Sequence, residues 1–139
     1  MQLEPMFQNY DFYLITEKIK SNMSLKKKYG KKVSFLVFGS KDHMLTYPFK
    51  FLYNCIKTVF LFIKIRPKVV VTTGTHTAVP MCYLAKLFGR KVIFIETFAN
   101  STTKTLSGKL VYPIADLFIV QWESMLELYP NAVFGGWIY

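Results

Sequence analysis

The sequence predicts an α/β fold built on a parallel sheet, and three observations carry that prediction. Short runs of Val, Ile, Leu and Phe alternate along the chain with stretches of helical periodicity. The runs are almost continuously apolar rather than alternating apolar and polar, as strands covered on both faces are. The chain has 139 residues, enough for one domain and too few for two nucleotide-binding-type domains, so residues 1–139 are read as a single domain.

The elements follow in order. A helix-like segment occupies residues 2–9. Folds of this class ordinarily open with a strand and a Gly-rich turn, so one strand and one loop are expected ahead of Met1. Strands are predicted at residues 12–16, 33–38, 68–72, 92–96 and 117–121, and helices at residues 24–29, 47–65, 77–88 and 122–129. Gly89 stands just past the third of these helices, where a left-handed residue ends a helix without a Cβ penalty. Strands and helices in alternation favour parallel pairing.

The segment YPFKFLYNCIKTVFLFIKI, residues 47–65, is the most unusual. Lys50, Lys57 and Lys64 recur at intervals of seven and share one helix face, with Asn54 beside them; the remaining circumference is Phe, Leu, Ile, Val and Tyr. A lysine at the centre of a bilayer costs about 2.5–3.5 kcal/mol on insertion scales, which argues against a full span. A helix lying at a membrane surface fits better, with Lys50, Phe51, Lys57, Phe60 and Lys64 as membrane contacts and the lysines toward lipid head groups. Burial under a partner subunit and an ordinary core helix are the competing readings.

Composition agrees with a covered surface of some kind. Hydrophobic residues make up 52% and aromatics 17% of the chain, and the mean hydropathy is +0.24, which is greasy for a small globular chain. The net charge of +10 is uneven: residues 1–91 hold 16 Lys and Arg against 4 Asp and Glu, and residues 92–139 hold 2 against 4. A basic field of this kind attracts anionic lipid, nucleic acid or phosphorylated ligands. The Lys26–Lys28 and Lys31–Lys32 runs read as a solvated face, and no nucleic-acid motif interleaves basic with aromatic residues. Cys55 and Cys82 lie in apolar helical stretches and read as buried free thiols. With no CxxC and no Cys/His cluster, no metal site is expected. Residues 1–10 lack the basic start and apolar run of a signal peptide, so a cytoplasmic location is expected.

The strongest local signal is the run VVVTTGTHTAVP, residues 69–80, where an apolar strand enters a turn of small residues and then a helix. Backbone N–H groups at such a helix start form an anion site, and Thr73, Gly74, Thr75, His76 and Thr77 are the candidate phosphate- or acceptor-binding residues. The competing reading is an ordinary strand-to-helix turn capped by Thr75 or Thr77. His76 serves as a base, a phosphate donor or simply a helix-start histidine; it is the one weak catalytic candidate. His43 reads as a surface-loop residue. Glu96 ends a strand and is followed by Thr97; it either holds a sugar hydroxyl or caps the next helix. Neither a GxxxxGK[ST] nor a GxGxxG run is present, so no nucleotide cofactor is expected.

Four stretches together resemble one family: RPKVVVTTGTHTAVP at residues 66–80, FIETFA at 94–99, LVYPIADLFIVQWE at 110–123 and GGWIY at 135–139. They are similar to Alg14-like proteins, including the capsule and exopolysaccharide proteins called PssD, EpsE or CpsF, and looser similarity reaches back to Met1. The resemblance implies a Rossmann-like, acceptor-side half of a GT-B glycosyltransferase. It implies an Alg13-like partner supplying the nucleotide-sugar half, a polyprenyl-diphosphate-sugar acceptor, and a peripheral place on the cytoplasmic face of the plasma membrane. Residues Gly74, Thr75 and His76 match the family's second glycine-type loop, and Glu96 and Thr97 the acidic residue opening the next loop. The family's first strand and its Gly-Gly-His-Leu loop have no counterpart here; that histidine is a candidate base in MurG-like enzymes, so no catalysis by this chain alone is expected. Two other readings stand beside this one: a truncated fragment without function, and a stand-alone nucleotide- or nucleic-acid-binding module.

Overall fold

The structure is a computed structural model that describes residues 4–37 and 47–138. It is α/β, with every strand pair parallel, and it divides into two compact units, Glu4–Ile65 and Arg66–Tyr139. The loop carrying His43 lies outside the described residues.

In the first unit a 3-10 turn (Glu4–Gln8) precedes strand β1 (Leu14–Glu17), helix α1 (Met23–Tyr29), strand β2 (Val33–Leu36) and helix α2 (Tyr47–Ile65). Strands β1 and β2 pair in parallel with Leu14 opposite Val33 and Glu17 opposite Leu36. Asn22 locks the connection, its side-chain amide donating to Thr16 Oγ1 at 2.8 Å and to the Glu17 carbonyl at 3.1 Å. Phe7 stacks on Phe12, and Tyr29 meets both rings edge-on.

Helix α2 has the expected bounds but not the expected orientation. Asn54, Thr58, Leu61 and Phe62 are buried, four and three residues apart, as one helical stripe. The Asn54 side chain accepts from Val37 N–H and donates to the Val37 carbonyl, and Lys57 Nζ donates to the Phe35 carbonyl at 2.5 Å. Residues 35 and 37 present these groups on the side of β2 away from β1, where a strand edge leaves backbone groups to be satisfied. Side chains of α2 take the place of a neighbouring strand. The Asn54–Lys57 stripe therefore faces the sheet, which corrects the expectation that Lys57 points to lipid head groups. The outward face is apolar: Phe49, Leu52, Ile56, Phe60 and Ile63 are all exposed.

The second unit is a four-stranded parallel sheet in the order β3 (Val69–Thr72), β4 (Lys91–Ile95), β5 (Leu117–Val120), β6 (Val133–Phe134). A 3-10 turn (His76–Ala78) running into α3 (Val79–Leu87), then α4 (Leu106–Val111) and α5 (Met125–Leu128), connect successive strands. Cys82 and Ala85 of α3, Val92 and Phe94 of β4, Val111 of α4, Phe118 and Val120 of β5, and Met125 and Tyr129 form the core. Gly89 holds φ at 65°, ending α3 as expected. Asp116 fastens β5 to β4: its N–H donates to the Val92 carbonyl and its carboxylate accepts from Val92 N–H, both at 2.9 Å.

Three departures have local causes. Val69 and Val71, two residues apart and so on one face of β3, are exposed, so that face is uncovered, whereas the apolar run predicted cover on both faces. The helix expected at residues 122–129 is confined to Met125–Leu128, since residues 122–124 form a turn around Trp122 and Ser124 side-chain bonds. Helix α4 and strand β6 have no counterpart in the sequence prediction. Cys82 is buried and its thiol is pushed up to about 12 by burial; Cys55 is half-buried and raised for the same reason.

Candidate functional site

The turn at residues 73–78 lies at the carboxyl ends of β3 and β4, where ligands bind in open α/β sheets. Gly74 is left-handed, with φ at 87°. A Cβ there would stand 3.4 Å from the Ile95 carbonyl oxygen and from Thr97 N, and 3.7 Å from Glu96 Oε1. The glycine is required by the backbone, whose φ L side chains rarely adopt; a Cβ would only reach van der Waals contact with the end of β4. Ser107 Oγ donates to the Gly74 carbonyl at 2.6 Å and pins the turn from the side of α4. Thr73 and Thr75 are exposed, His76 is half-buried and Thr77 is buried. Thr75 occupies the N-cap position of the His76–Ala78 turn, yet its side chain makes no capping bond.

Glu96 is not on the rim. It is 1% exposed. Its carboxylate accepts from Thr97 N–H at 3.0 Å, from Thr105 Oγ1 at 2.9 and 3.0 Å to its two oxygens, and from Tyr129 Oη at 3.0 Å. Thr105 in turn caps α4, accepting from Gly108 N–H at 2.9 Å. Burial first, and then the Glu96 charge, raise the Tyr129 hydroxyl, which keeps it a donor. A buried carboxylate is tolerated only when donors surround it, and these three supply that. Glu96 thus ties β4, the segment at residues 97–105, α4 and Tyr129 into one knot beneath the Gly74 turn, in place of the crevice-facing role expected from its position at a strand end.

Gln121 extends the knot. Its amide donates to the Glu96 carbonyl at 2.9 Å and accepts from Ile138 N–H at 3.0 Å, so the C-terminal segment is fastened to the same strand ends. Thr97 is half-buried and its hydroxyl accepts from Ala99 N–H at 3.3 Å. The structure therefore brings Gly74, Glu96 and Thr97 together, leaves the residues Thr73 and Thr75 exposed, and adds Thr105, Ser107, Gln121 and Tyr129. The Thr105-Leu106-Ser107-Gly108 start of α4 carried a cap signal in its threonine; the others become adjacent only through the sheet order.

The family model described as "Oligosaccharide biosynthesis protein Alg14 like" matches residues 21–138. The chain belongs to the Alg14-like family. Among its relatives, the UDP-N-acetylglucosamine transferase subunit ALG14 of Candida albicans is 38% identical over 91 residues, covering 61% of this chain and 42% of that protein. The subunit of the same name from Rattus norvegicus is 37% identical over 102 residues, or 69% and 47% of the two chains. The chain spans less than half the length of these Alg14 relatives. In structure it is similar to Acinetobacter baumannii MurG, with a TM-score of 0.66 and 15% identity over 87% of this chain and 36% of MurG. The likeness shows the fold of this Alg14-like chain, a Rossmann-like half of the GT-B type.

Proposed function

We propose that the chain is the acceptor-side subunit of a two-component glycosyltransferase in exopolysaccharide, capsule or other lipid-linked oligosaccharide assembly. It recruits an Alg13-like catalytic partner and presents a polyprenyl-diphosphate-linked sugar at the cytoplasmic face of the plasma membrane. The chain acts as one acceptor-side domain. The observation that carries this reading is the Gly74 turn: a glycine-dependent loop at the strand carboxyl ends, braced by Ser107 and by the Glu96 knot, with Thr73 and Thr75 exposed. The N–H groups and hydroxyls of such a turn suit the acceptor diphosphate. Thr73, Gly74, Thr75, His76, Thr77 and Thr97 form or support the ligand-facing rim, and Glu96 holds it in place. The names of the Alg14 relatives, subunits of a UDP-N-acetylglucosamine transferase, support a transferase partner. Among the described residues no helix is long and apolar enough to cross a membrane; the outward apolar face of α2 supports peripheral contact instead.

Co-expression with an Alg13-like chain and assay of transfer from UDP-N-acetylglucosamine to a polyprenyl-diphosphate sugar tests the reading. The two chains are expected to co-purify and transfer. Thr75→Val removes the hydroxyl of an exposed residue that makes no cap bond and is expected to lower kcat/KM by about tenfold, the worth of one hydrogen bond to a charged group, with folding unchanged. Gly74→Val is expected to lower transfer further while partner binding persists. His76→Ala separates a phosphate donor, with a modest loss, from a base, with near-complete loss. Failure to co-purify, or all three variants transferring at the unmodified rate, refutes the assignment.

A further inference from the structure

The turn at residues 73–78 is held at the peptide most able to rotate. Glycine enters backbone regions closed to other residues, so the peptide joining Gly74 to Thr75 could present its carbonyl to either side if nothing held it. Ser107, in the first turn of α4, holds it. Its Oγ donates to the Gly74 carbonyl at 2.6 Å, and the residue is 5% exposed, so water competes little for the bond. Each hydroxyl has one proton to give. Thr105 Oγ1 lies 3.4 Å from Ser107 Oγ, yet its own proton goes to the Glu96 carboxylate and its lone pairs take the Gly108 N–H. The Ser107 proton therefore goes to Gly74, whose carbonyl can only accept. Thr105 and Ser107 stand two residues apart, so the knot that fixes Thr105 also fixes where Ser107 stands.

A trans peptide carries its C=O and its N–H on opposite sides. With the Gly74 carbonyl turned toward buried Ser107, the N–H of Thr75 points the other way. Thr75 is exposed and extended, with φ at −72° and ψ at 138°. Among the described residues no backbone carbonyl accepts from its N–H. A backbone donor displayed from a held peptide, at the carboxyl ends of the strands, is a donor set for an anion.

We infer that Ser107 is a positioning residue: by drawing the Gly74 carbonyl inward it aims the Thr75 N–H at the diphosphate of the bound acceptor. The inference rests on the acceptor-side reading above and adds the donor atom and the device that aims it. Ser107 itself touches no ligand. Without its hydroxyl the Gly74 carbonyl loses its donor and the peptide samples both orientations. In one of them the N–H meets the diphosphate; in the other the carbonyl oxygen faces the anion and repels it.

The chain reconstituted with an Alg13-like partner provides the test. Ser107→Ala is expected to raise the KM for a polyprenyl-diphosphate sugar about tenfold, the worth of one hydrogen bond to a charged group. The kcat, the KM for UDP-N-acetylglucosamine and co-purification are expected to stay as they were. Ser107→Thr keeps the hydroxyl and is expected to restore most of the acceptor KM. With this chain isotope-labelled in the same pair, inorganic pyrophosphate is expected to shift the Thr75 amide resonance, and Ser107→Ala to remove most of that shift. An unchanged acceptor KM in Ser107→Ala overturns the inference and leaves the transferase reading standing. A loss that falls on both substrates together with the unfolding midpoint also overturns it, because the bond is then a prop for the fold alone. So does a rise in the KM for UDP-N-acetylglucosamine in place of the acceptor KM, which gives the N–H to the nucleotide diphosphate. A Thr75 amide that responds to pyrophosphate only while the Ser107 hydroxyl is present, in a pair that never transfers, supports the positioning role and removes the transferase reading.

Discussion

Gly108 shows how a residue's local and tertiary preferences can oppose each other. It lies inside helix α4, where glycine ordinarily costs about 1 kcal/mol relative to alanine, so Gly108→Ala would stabilise an isolated helix. Here a Cβ would run into Glu96 Oε2, Tyr129 Oη and Thr105 Oγ1 at once. All three atoms belong to the bonded knot and none is the free end of a flexible chain, so relief requires breaking hydrogen bonds to a buried carboxylate. Gly108→Ala is therefore expected to destabilise by about 1–3 kcal/mol, the usual range for overpacking, and a raised urea midpoint would contradict the knot. The same knot explains what could be read from the sequence at this scale. Gly74 was legible as a residue serving the turn, because a strand, a glycine and a helix start stood in order. The place of Glu96 was not: a carboxylate at a strand end faces either crevice or core, and the choice is made by Thr105 and Tyr129, 9 and 33 residues further on.

At the scale of elements, strands and long helices were legible and short ones were not. Helix α2 matches its expected bounds because nineteen residues of unbroken helical pattern leave no alternative. Helix α4 holds a serine and a glycine among six residues, and β6 has two residues; both depend on neighbours rather than on their own propensity. The polar stripe of α2 was seen, but its direction depends on the unsatisfied edge of β2, which periodicity does not report. Asp116 offers a test of how β4 and β5 are joined. The Val92 N–H bond, and then Lys91 and Lys86, hold its carboxyl at about 2, below the ordinary 3.8. Because the folded value is the depressed one, its stabilisation is full above about pH 4 and is lost as pH falls through about 2. Unfolding midpoints are expected to drop between pH 5 and pH 2.5, and Asp116→Asn to remove part of that drop while mattering little at the acid end. Equal pH slopes for the two proteins would show that the clamp contributes nothing.

At the scale of the whole molecule, charge and exposed apolar surface coincide in the first of the two units. The unit that carries α2, residues 4–65, holds 11 Lys against 4 Asp and Glu, and the outward face of the helix carries Phe49 at 75% and Phe60 at 70% exposure. An apolar face of this kind within a basic region is what peripheral binding to an anionic surface uses: apolar insertion supplies most of the energy and charge adds attraction. The structure divides the labour differently from the lysine stripe alone. Lys57 is engaged with the Phe35 carbonyl, so in the proposed membrane contact the aromatic and aliphatic side chains would insert, with exposed Lys64 among the neighbouring cations. Sedimentation with vesicles of phosphatidylcholine and phosphatidylglycerol tests this. Phe60→Ser and Ile63→Ser are each expected to weaken binding by roughly tenfold or more, since burying such a side chain is worth about 1.5–3 kcal/mol. Lys64→Glu is expected to weaken it by about thirtyfold at low salt, at about 1 kcal/mol per charge with the sign reversed, and to matter less as salt rises. Lys50→Glu tests the half-buried Lys50 in the same way. Unchanged sedimentation of the Phe60 and Ile63 variants would show that another protein surface, and not lipid, covers this face of α2.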